Sequence, residues 1–173
     1  VGSDLRAPRT VGWRTMLDWV DATLDSRHAG VGPYWNVLRR DGSIDTNLWT
    51  YVQGEMLAAR ALQYRLTRER RFLASAEGIA RQTLATFGAF TAQPPSFNAM
   101  CFQAMLLLSS LTDDGALRSQ MLETIHHYAD WAWDSEQGAR DPRTNLFHFT
   151  SAGTPAHGSG RPALLQDQGA MLQ

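Results

Sequence analysis

Residues 53–57 read Gln-Gly-Glu-Met-Leu, and residues 168–172 read Gln-Gly-Ala-Met-Leu. Each segment lies near the start of a stretch that carries apolar residues at helical spacing, so each predicts a helix start. About 115 residues separate the two segments, which is the length of two helical hairpins with their loops. A chain in which such hairpins repeat is expected to stack them side by side, in a solenoid or a ring.

Six segments carry the apolar spacing of an α-helix. The sequence predicts helices over residues 13–27, 48–66, 69–87, 97–111 and 114–133, and from residue 163 onward. Burial is expected to alternate along the chain. The third segment has one apolar stripe and keeps a face in water, whereas the fourth is apolar nearly all round and is expected to be buried on most sides. A ring of hairpins requires this alternation of outer and inner helices.

Two long loops, residues 28–47 and 134–162, precede the second and sixth predicted helices. Loops of this length are uncommon between packed helices and often carry function. Asp41-Gly42 in the first loop is a turn signal that favours a short β-hairpin. Trp35, Asp41 and Asp45 are candidates for the rim of a cleft, with turn formation and burial of the tryptophan as the alternative.

The composition argues against several classes of function. With 16 basic and 17 acidic residues and no basic run, the chain lacks the clustered cations of a nucleic-acid surface. No apolar run approaches the ~20 residues of a membrane-spanning helix. Cys101 is the only cysteine, and neither a disulfide, a metal site nor a cofactor is predicted. No targeting signal is present, so extracellular, cell-envelope and cytoplasmic locations all stay open.

The stretch Trp49-Thr50-Tyr51-Val52-Gln53-Gly54 resembles the Thr-Tyr-Asn-Gln-Gly signature of glycoside hydrolase family 76, the α-1,6-mannanase family. Residues 66–76 are similar to its helix-turn-helix segment, residues 97–100 to its Phe-Lys-Gly-Ile segment, and residues 167–171 to its last inner helix. The resemblance implies an all-α fold, an (α/α)6 toroid of twelve helices. Residues 1–173 would be a single partial domain, with about six helices forming the C-terminal half of the ring.

The family resemblance also implies a chemistry. Family members cleave α-1,6-linked mannan with retention, through two adjacent aspartates that would lie upstream of Val1. No catalytic residue is therefore expected in this chain, and the chain alone is expected to be inactive. Asp113-Asp114 is the one Asp-Asp pair present, and N-capping of the fifth helix explains it better than catalysis does. Glu55 is the carboxylate to test first if the chain shows activity by itself.

The resemblance and the ring geometry together indicate a substrate-binding wall. Inner helices of a toroid direct their N-termini at one mouth, where tyrosine offers a flat face to a pyranose and amides offer both donors and acceptors. The candidate substrate-binding residues are Thr50, Tyr51, Gln53, Phe97, Asn98, Asp167 and Gln168. Two positions depart from the family pattern: Val52 replaces the asparagine of the signature, and Asn98 stands where the family has a basic residue.

Two other functions stay open. Val52 and Asn98 would suit a non-catalytic carbohydrate-binding or degenerate toroid module. A sugar epimerase of the N-acylglucosamine type also uses a helical toroid, with histidines in the central cleft, and His28, His148 and His157 are the loop histidines here. The expected ligand is an oligosaccharide or polysaccharide. Half a ring leaves apolar flanks uncovered, so either self-association or contact with a missing N-terminal half is expected.

Overall fold

The computed structural model describes residues 7–28, 30–134, 136–156 and 159–172, without the side chains of residues 7–11 and 13. These residues form six α-helices and one two-stranded antiparallel hairpin. In chain order the elements are α1 (Ala7–Thr23), β1 (Val37–Leu38), β2 (Ile44–Asp45), α2 (Thr50–Thr67), α3 (Arg70–Phe87), α4 (Pro95–Ser109), α5 (Gly115–Trp133) and α6 (Leu165–Met171). The described residues are therefore all-α apart from a short hairpin in the first long loop, and both the all-α fold and this hairpin were predicted.

The helices form an inner row and an outer row. In the inner row, α2 packs against α4, and α4 packs against α6. In the outer row, α3 packs on α2 and α5 packs on α4, so each outer helix forms a hairpin with an inner one. The core lies between the rows, and α4 contributes buried residues such as Cys101, Phe102, Met105 and Leu108. The expected alternation of burial holds for α4 and α5, where eight of 15 and four of 19 residues are buried, but not for α2 and α3, which bury eight and seven of 18 residues each.

The inner helices α2 and α4 approach each other closely at one point. A Cβ atom on Gly54 would lie 2.6 Å from the Cα of Cys101 and 3.1 Å from the carbonyl oxygen of Met100. No real Cβ makes such a contact with backbone, so only glycine allows this spacing. Cys101 itself is fully buried, and burial raises the pKa of its thiol to about 12. Its role is packing, because the thiolate does not form at neutral pH.

The helices α2 and α6 start two residues later than predicted, at Thr50 and Leu165. Two other helices, α1 and α4, start earlier than predicted because proline is tolerated in a first turn, where the missing N–H has no helical partner. Helix α1 starts at Ala7, with Pro8 beside it, and the apolar spacing shows only from Trp13 onward. Helix α4 starts at Pro95 instead of Phe97. The start of α5 confirms the capping prediction, since the Asp114 carboxylate accepts a hydrogen bond from the Leu117 N–H at 2.9 Å.

Candidate functional site

Each inner helix carries an amide side chain in or near its first turn, and each of these amides donates to the backbone of the preceding loop. The Nε2 of Gln53 donates to the carbonyl oxygen of Tyr34 at 2.9 Å, and the Nε2 of Gln168 to that of Phe147 at 2.7 Å. In α4 the Nδ2 of Asn98 donates to the carbonyl oxygen of Phe90 at 2.9 Å. All three carbonyls belong to buried aromatic residues. We call these contacts the amide clamps.

The two glutamine clamps are built alike. The Oε1 of Gln53 accepts the N–H of Tyr34 at 2.8 Å, and the Oε1 of Gln168 accepts that of Phe147 at 2.9 Å. Each glutamine therefore pairs with both polar groups of one loop residue, as a neighbouring strand would. Each clamped residue also forms an isolated β-bridge within its loop, Tyr34 with Asp25 and Phe147 with Arg140. The repeat seen in the sequence is thus a repeat of hydrogen bonding in the structure.

Asn98 has a shorter side chain, and its oxygen is used differently. The Oδ1 of Asn98 accepts the hydroxyl of Thr50 at 3.0 Å, so the first turns of α2 and α4 are joined by a buried hydrogen bond. Thr50, Gln53 and Asn98 are all fully buried. Their polar atoms contact protein, and these three residues hold the loops and helix starts of the mouth in place.

The first clamped loop is also fixed by a partly buried ion pair. Arg60 on α2 pairs with Asp21 on α1, and the Tyr34 hydroxyl donates to the same carboxylate at 2.9 Å. Burial and the Asp21 charge raise the pKa of Tyr34 above its usual range. A buried charge is costly unless it is paired, so this pair ties α1, α2 and the loop into one unit.

Aromatic rings cluster at the start of α2, beside α4. The rings of Tyr51 and Phe97 have centroids 4.6 Å apart, and those of Trp49 and Phe97 are 5.7 Å apart in an edge-to-face arrangement. The Tyr51 hydroxyl donates to Oδ1 of Asn36 at 2.8 Å. All four residues are half-buried, so part of each remains accessible to solvent. We call Trp49, Tyr51, Phe97 and Asn36 the aromatic platform.

Sequence reasoning identified Tyr51 and Phe97 but missed the other two members of the platform. Trp49 directly precedes the signature, and that adjacency is the signal that could have selected it. Asn36 lies in a loop without any periodic pattern, so nothing in the sequence distinguishes it. Of the three rim candidates in the same loop, the two aspartates are engaged in turns: Asp41 accepts from Ser43, and Asp45 accepts from the Asn47 N–H at 3.1 Å. The backbone N–H of the third, Trp35, donates to the carbonyl oxygen of Leu24 at 2.8 Å.

Asp167 lies in the first turn of α6 and is largely buried. Burial raises the pKa of its carboxyl above 3.8, and Arg161 offsets part of that effect. Tyr128 on α5 is also buried, and burial together with the Asp167 charge raises its pKa to about 12, with Asn98 opposing. Asp167 therefore differs from Asp45 and Asp114, whose pKa values are lowered by backbone N–H donors.

The remaining titratable candidates lie elsewhere. Asp113 pairs with Arg70, and Asp114 pairs with Arg81 besides capping α5, so this Asp-Asp pair belongs to an outer helix start. Glu55 is exposed on α2. His28 follows α1, His148 lies in the loop before α6, and His157 lies outside the described residues. Within the described residues, no cluster of histidine, cysteine or carboxylate side chains could hold a metal ion, and no helix could span a membrane.

Stacked helical hairpins, with a cluster of aromatic rings at the starts of α2 and α4, define a class of all-α proteins built from paired inner and outer helices. A family model described as "Glycosyl hydrolase family 76" matches residues 13–168. The chain therefore belongs to glycosyl hydrolase family 76. The resemblance inferred from its short motifs is confirmed. No curated protein matches the chain.

Solved structures show the same fold. Across 97% of its length the chain matches 48% of a family 76 mannosidase from Bacteroides thetaiotaomicron VPI-5482, with a TM-score of 0.73 at 18% identity. It also matches, over 95% of its length, 50% of an α-1,6-mannanase from Salegentibacter sp. HEL1_6, with a TM-score of 0.70 at 21% identity. The latter is an inactive variant with two aspartates replaced by alanine, in complex with α-1,6-mannotetrose. The chain thus spans about half the length of these relatives.

Proposed function

We propose that this chain is the C-terminal half of a family 76 toroid and supplies one wall of a cleft for α-1,6-linked mannan or a related glycan. The aromatic platform carries this proposal. Its rings offer apolar faces to a pyranose, and the Tyr51–Asn36 pair places a hydroxyl and an amide beside them. The ligand of the Salegentibacter mannanase is an oligosaccharide of this linkage.

The candidate residues divide into two roles in this proposal. Tyr51, Phe97 and Asp167 contact the glycan, together with Trp49 and Asn36. Thr50, Gln53, Asn98 and Gln168 hold the loops and helix starts from which those side chains reach the cleft. Preorganised contacts bind sugar more tightly because little side-chain or loop freedom is lost on binding.

We further propose that the reacting carboxylates are not in this chain. A retaining glycosidase needs two carboxyl groups about 5–5.5 Å apart, one of them with a raised pKa. Asp113 and Asp114 are engaged in a helix cap and in ion pairs on the outer row. Asp167 has a raised pKa without an adjacent carboxylate in sequence. Hydrolysis would therefore depend on carboxylates from the rest of a longer protein.

The test is titration of the chain with α-1,6-mannotetraose by calorimetry or NMR. One wall of a cleft is expected to bind weakly, with a Kd of ~1 mM. Tyr51→Ala should abolish binding, because it removes the central ring of the platform. Tyr64→Ala is the matched control, since it removes the same side chain near the other end of α2. Equal binding by both variants would overturn the assignment of the platform.

A non-catalytic carbohydrate-binding role is the second candidate. Val52 packs against the core, and Asn98 is committed to internal hydrogen bonds, so neither supplies the polar group that the family places there. The full-length protein separates the two functions. Release of reducing ends from α-1,6-mannan supports the hydrolase, whereas binding without release supports the module. The family assignment favours either over the epimerase hypothesis.

A further inference from the structure

A chain of hydrogen bonds links the aromatic platform to the hairpin of the first long loop. The hydroxyl of Tyr51 donates to Oδ1 of Asn36 at 2.8 Å, and Nδ2 of Asn36 donates to Oδ2 of Asp45 at 3.3 Å. Asn36 directly precedes β1 and Asp45 ends β2, so their backbones are joined as well, through the Asn36 N–H and the Asp45 carbonyl oxygen at 3.0 Å. We call Tyr51, Asn36 and Asp45 the polar relay.

The carboxylate at one end of the polar relay is held in place by contacts of its own. Oδ1 of Asp45 accepts the Asn47 N–H at 3.1 Å, and Oδ2 pairs with the Arg39 guanidinium at 3.1 Å. These two contacts and the Asn36 amide lower the pKa of Asp45 below 3.8, with the Asn47 N–H as the largest cause. Asp45 is therefore charged at neutral pH, and an ionised carboxylate accepts hydrogen bonds but donates none.

An acceptor at this end sets the direction of every hydrogen bond in the polar relay. An amide side chain has one donor end and one acceptor end, so facing a carboxylate Asn36 must present its Nδ2 there and its Oδ1 to Tyr51. Burial, together with the charges of Glu55 and Asp45, raises the pKa of Tyr51, and the phenol keeps its hydrogen at neutral pH. That hydrogen is given to Asn36. The Tyr51 oxygen therefore has lone pairs to offer a ligand, and no hydrogen.

We infer that Asp45 is a positioning residue that determines specificity: acting through Asn36, it makes Tyr51 an acceptor, so that the platform selects a sugar hydroxyl that donates. The inference rests on the proposed function, since it concerns the same platform. Internal units of an α-1,6-linked mannan have free hydroxyls on carbons 2, 3 and 4, and each can supply the donor. A substituent of similar size that cannot donate would leave the Tyr51 oxygen unpaired.

The experiment compares α-1,6-mannotetraose with analogues that carry fluorine in place of one of these hydroxyls, with binding measured by NMR. Fluorine is small and cannot donate, so at least one analogue should bind the wild type about tenfold more weakly than the parent sugar does. In Asp45→Asn the new amide can face Asn36 with either end, the relay can reverse, and the discrimination should fall to about threefold or less. Tyr51→Phe should lose the discrimination too, because no oxygen is left unpaired.

Asp41→Asn is the matched control for Asp45→Asn. Asp41 lies in the same hairpin, and its carboxylate accepts from Ser43 at the turn instead of from Asn36. Its pKa is lowered like that of Asp45, so the two substitutions remove the same charge from the same loop. The discrimination of the wild type should remain in Asp41→Asn.

A measurement without glycan tests the direction of the polar relay by itself. The side-chain NH₂ signals of Asn36 should shift as Asp45 is protonated, with a midpoint below 3.8, in the wild type and in Asp41→Asn. Asp45→Asn should abolish this titration. Dispersed NMR spectra of the same samples show that each variant folds.

Discrimination that Asp45→Asn and Tyr51→Phe remove, and that Asp41→Asn keeps, supports the inference. Equal discrimination in all the variants, or an Asn36 amide that does not respond to Asp45, overturns it and leaves the proposed function standing. Failure of the wild type to bind mannotetraose overturns the proposed function and the selection of a donor with it. The Asn36 titration then still decides whether the relay has the direction described.

Discussion

The starts of α2 and α6 use the same clamp in different surroundings. Both begin with a glutamine that pairs with the two polar groups of a buried aromatic loop residue, and both continue with glycine. At α2 the glycine touches the next helix, and the residue before the glutamine is Val52. At α6 the glycine faces open space, and the residue before the glutamine is Asp167. The comparison distinguishes two requirements. The glutamine is required to hold the loop backbone, whereas the glycine is required only where a neighbouring helix packs closely.

The largest loss of stability is expected at the close contact between α2 and α4. Gly54→Ala places a Cβ against the backbone of Cys101, and neither helix can move without disturbing the core. We expect a loss of about 4 kcal/mol in the free energy of unfolding, at the upper end for a single substitution. Urea denaturation followed by circular dichroism measures it. A loss under about 1 kcal/mol would show that α2 and α4 are spaced more loosely than described here.

The second-largest loss in the free energy of unfolding is expected from removing the glutamine clamps. Gln53→Leu leaves the N–H and C=O of Tyr34 buried without these partners, at a cost of about 2–3 kcal/mol. Gln168→Leu should cost about 1 kcal/mol, because the contacts of Gln168 are only partly buried and water can replace them. The same denaturation experiment compares the two variants. Equal losses would contradict the difference in burial.

The acidic position of α6 gives a pH-dependent effect. The pKa of Asp167 is raised in the folded state, so folding disfavours its charged form, and the wild type loses stability as pH rises from below 3.8 through the raised value. Asp167→Asn should therefore melt at a higher temperature than the wild type at pH 7. The difference should vanish at low pH, where Asp167 is neutral in both states.

Asp114→Asn is the control for that experiment and should have the opposite sign. Backbone N–H donors and Arg81 lower the pKa of Asp114, so its contribution is present above 3.8 and is lost as pH falls through the lowered value. This variant should melt below the wild type at pH 7 and match it in acid. Melting temperatures of the wild type, Asp167→Asn and Asp114→Asn, measured from low pH to pH 7, test both predictions.

The smallest effect is expected at the second glycine. Gly169→Ala meets no neighbour and gains helix propensity, so the chain in dilute solution should gain about 0.5 kcal/mol. The opposite signs for Gly54→Ala and Gly169→Ala are the sharpest test of the comparison. A destabilised Gly169→Ala monomer would mean that α6 already has a close neighbour.

The helices were predictable from the sequence because their signal is local. Apolar spacing located every helix of the described residues, with early starts at α1 and α4, where proline opens a first turn, and starts two residues late at α2 and α6. The Gln-Gly repeat marked equivalent helix starts, and Asp114 was identified as a cap from its position alone. Each of these inferences uses residues within a few turns of one another, where the helix period fixes which side chains meet.

The candidate site was less predictable because its contacts join distant segments. The sequence selected Gln53, Asn98 and Gln168 as polar groups at a mouth. Only the structure shows them bonded to loop carbonyls, since no pattern indicates where a loop backbone passes. For the same reason, the sequence could not identify Asn36 as a member of the aromatic platform. The sequence by itself determined the helices and the repeat of their starts. The tertiary structure decided which polar atoms are already paired, because hydrogen-bond partners in a packed interior depend on the path of the whole chain.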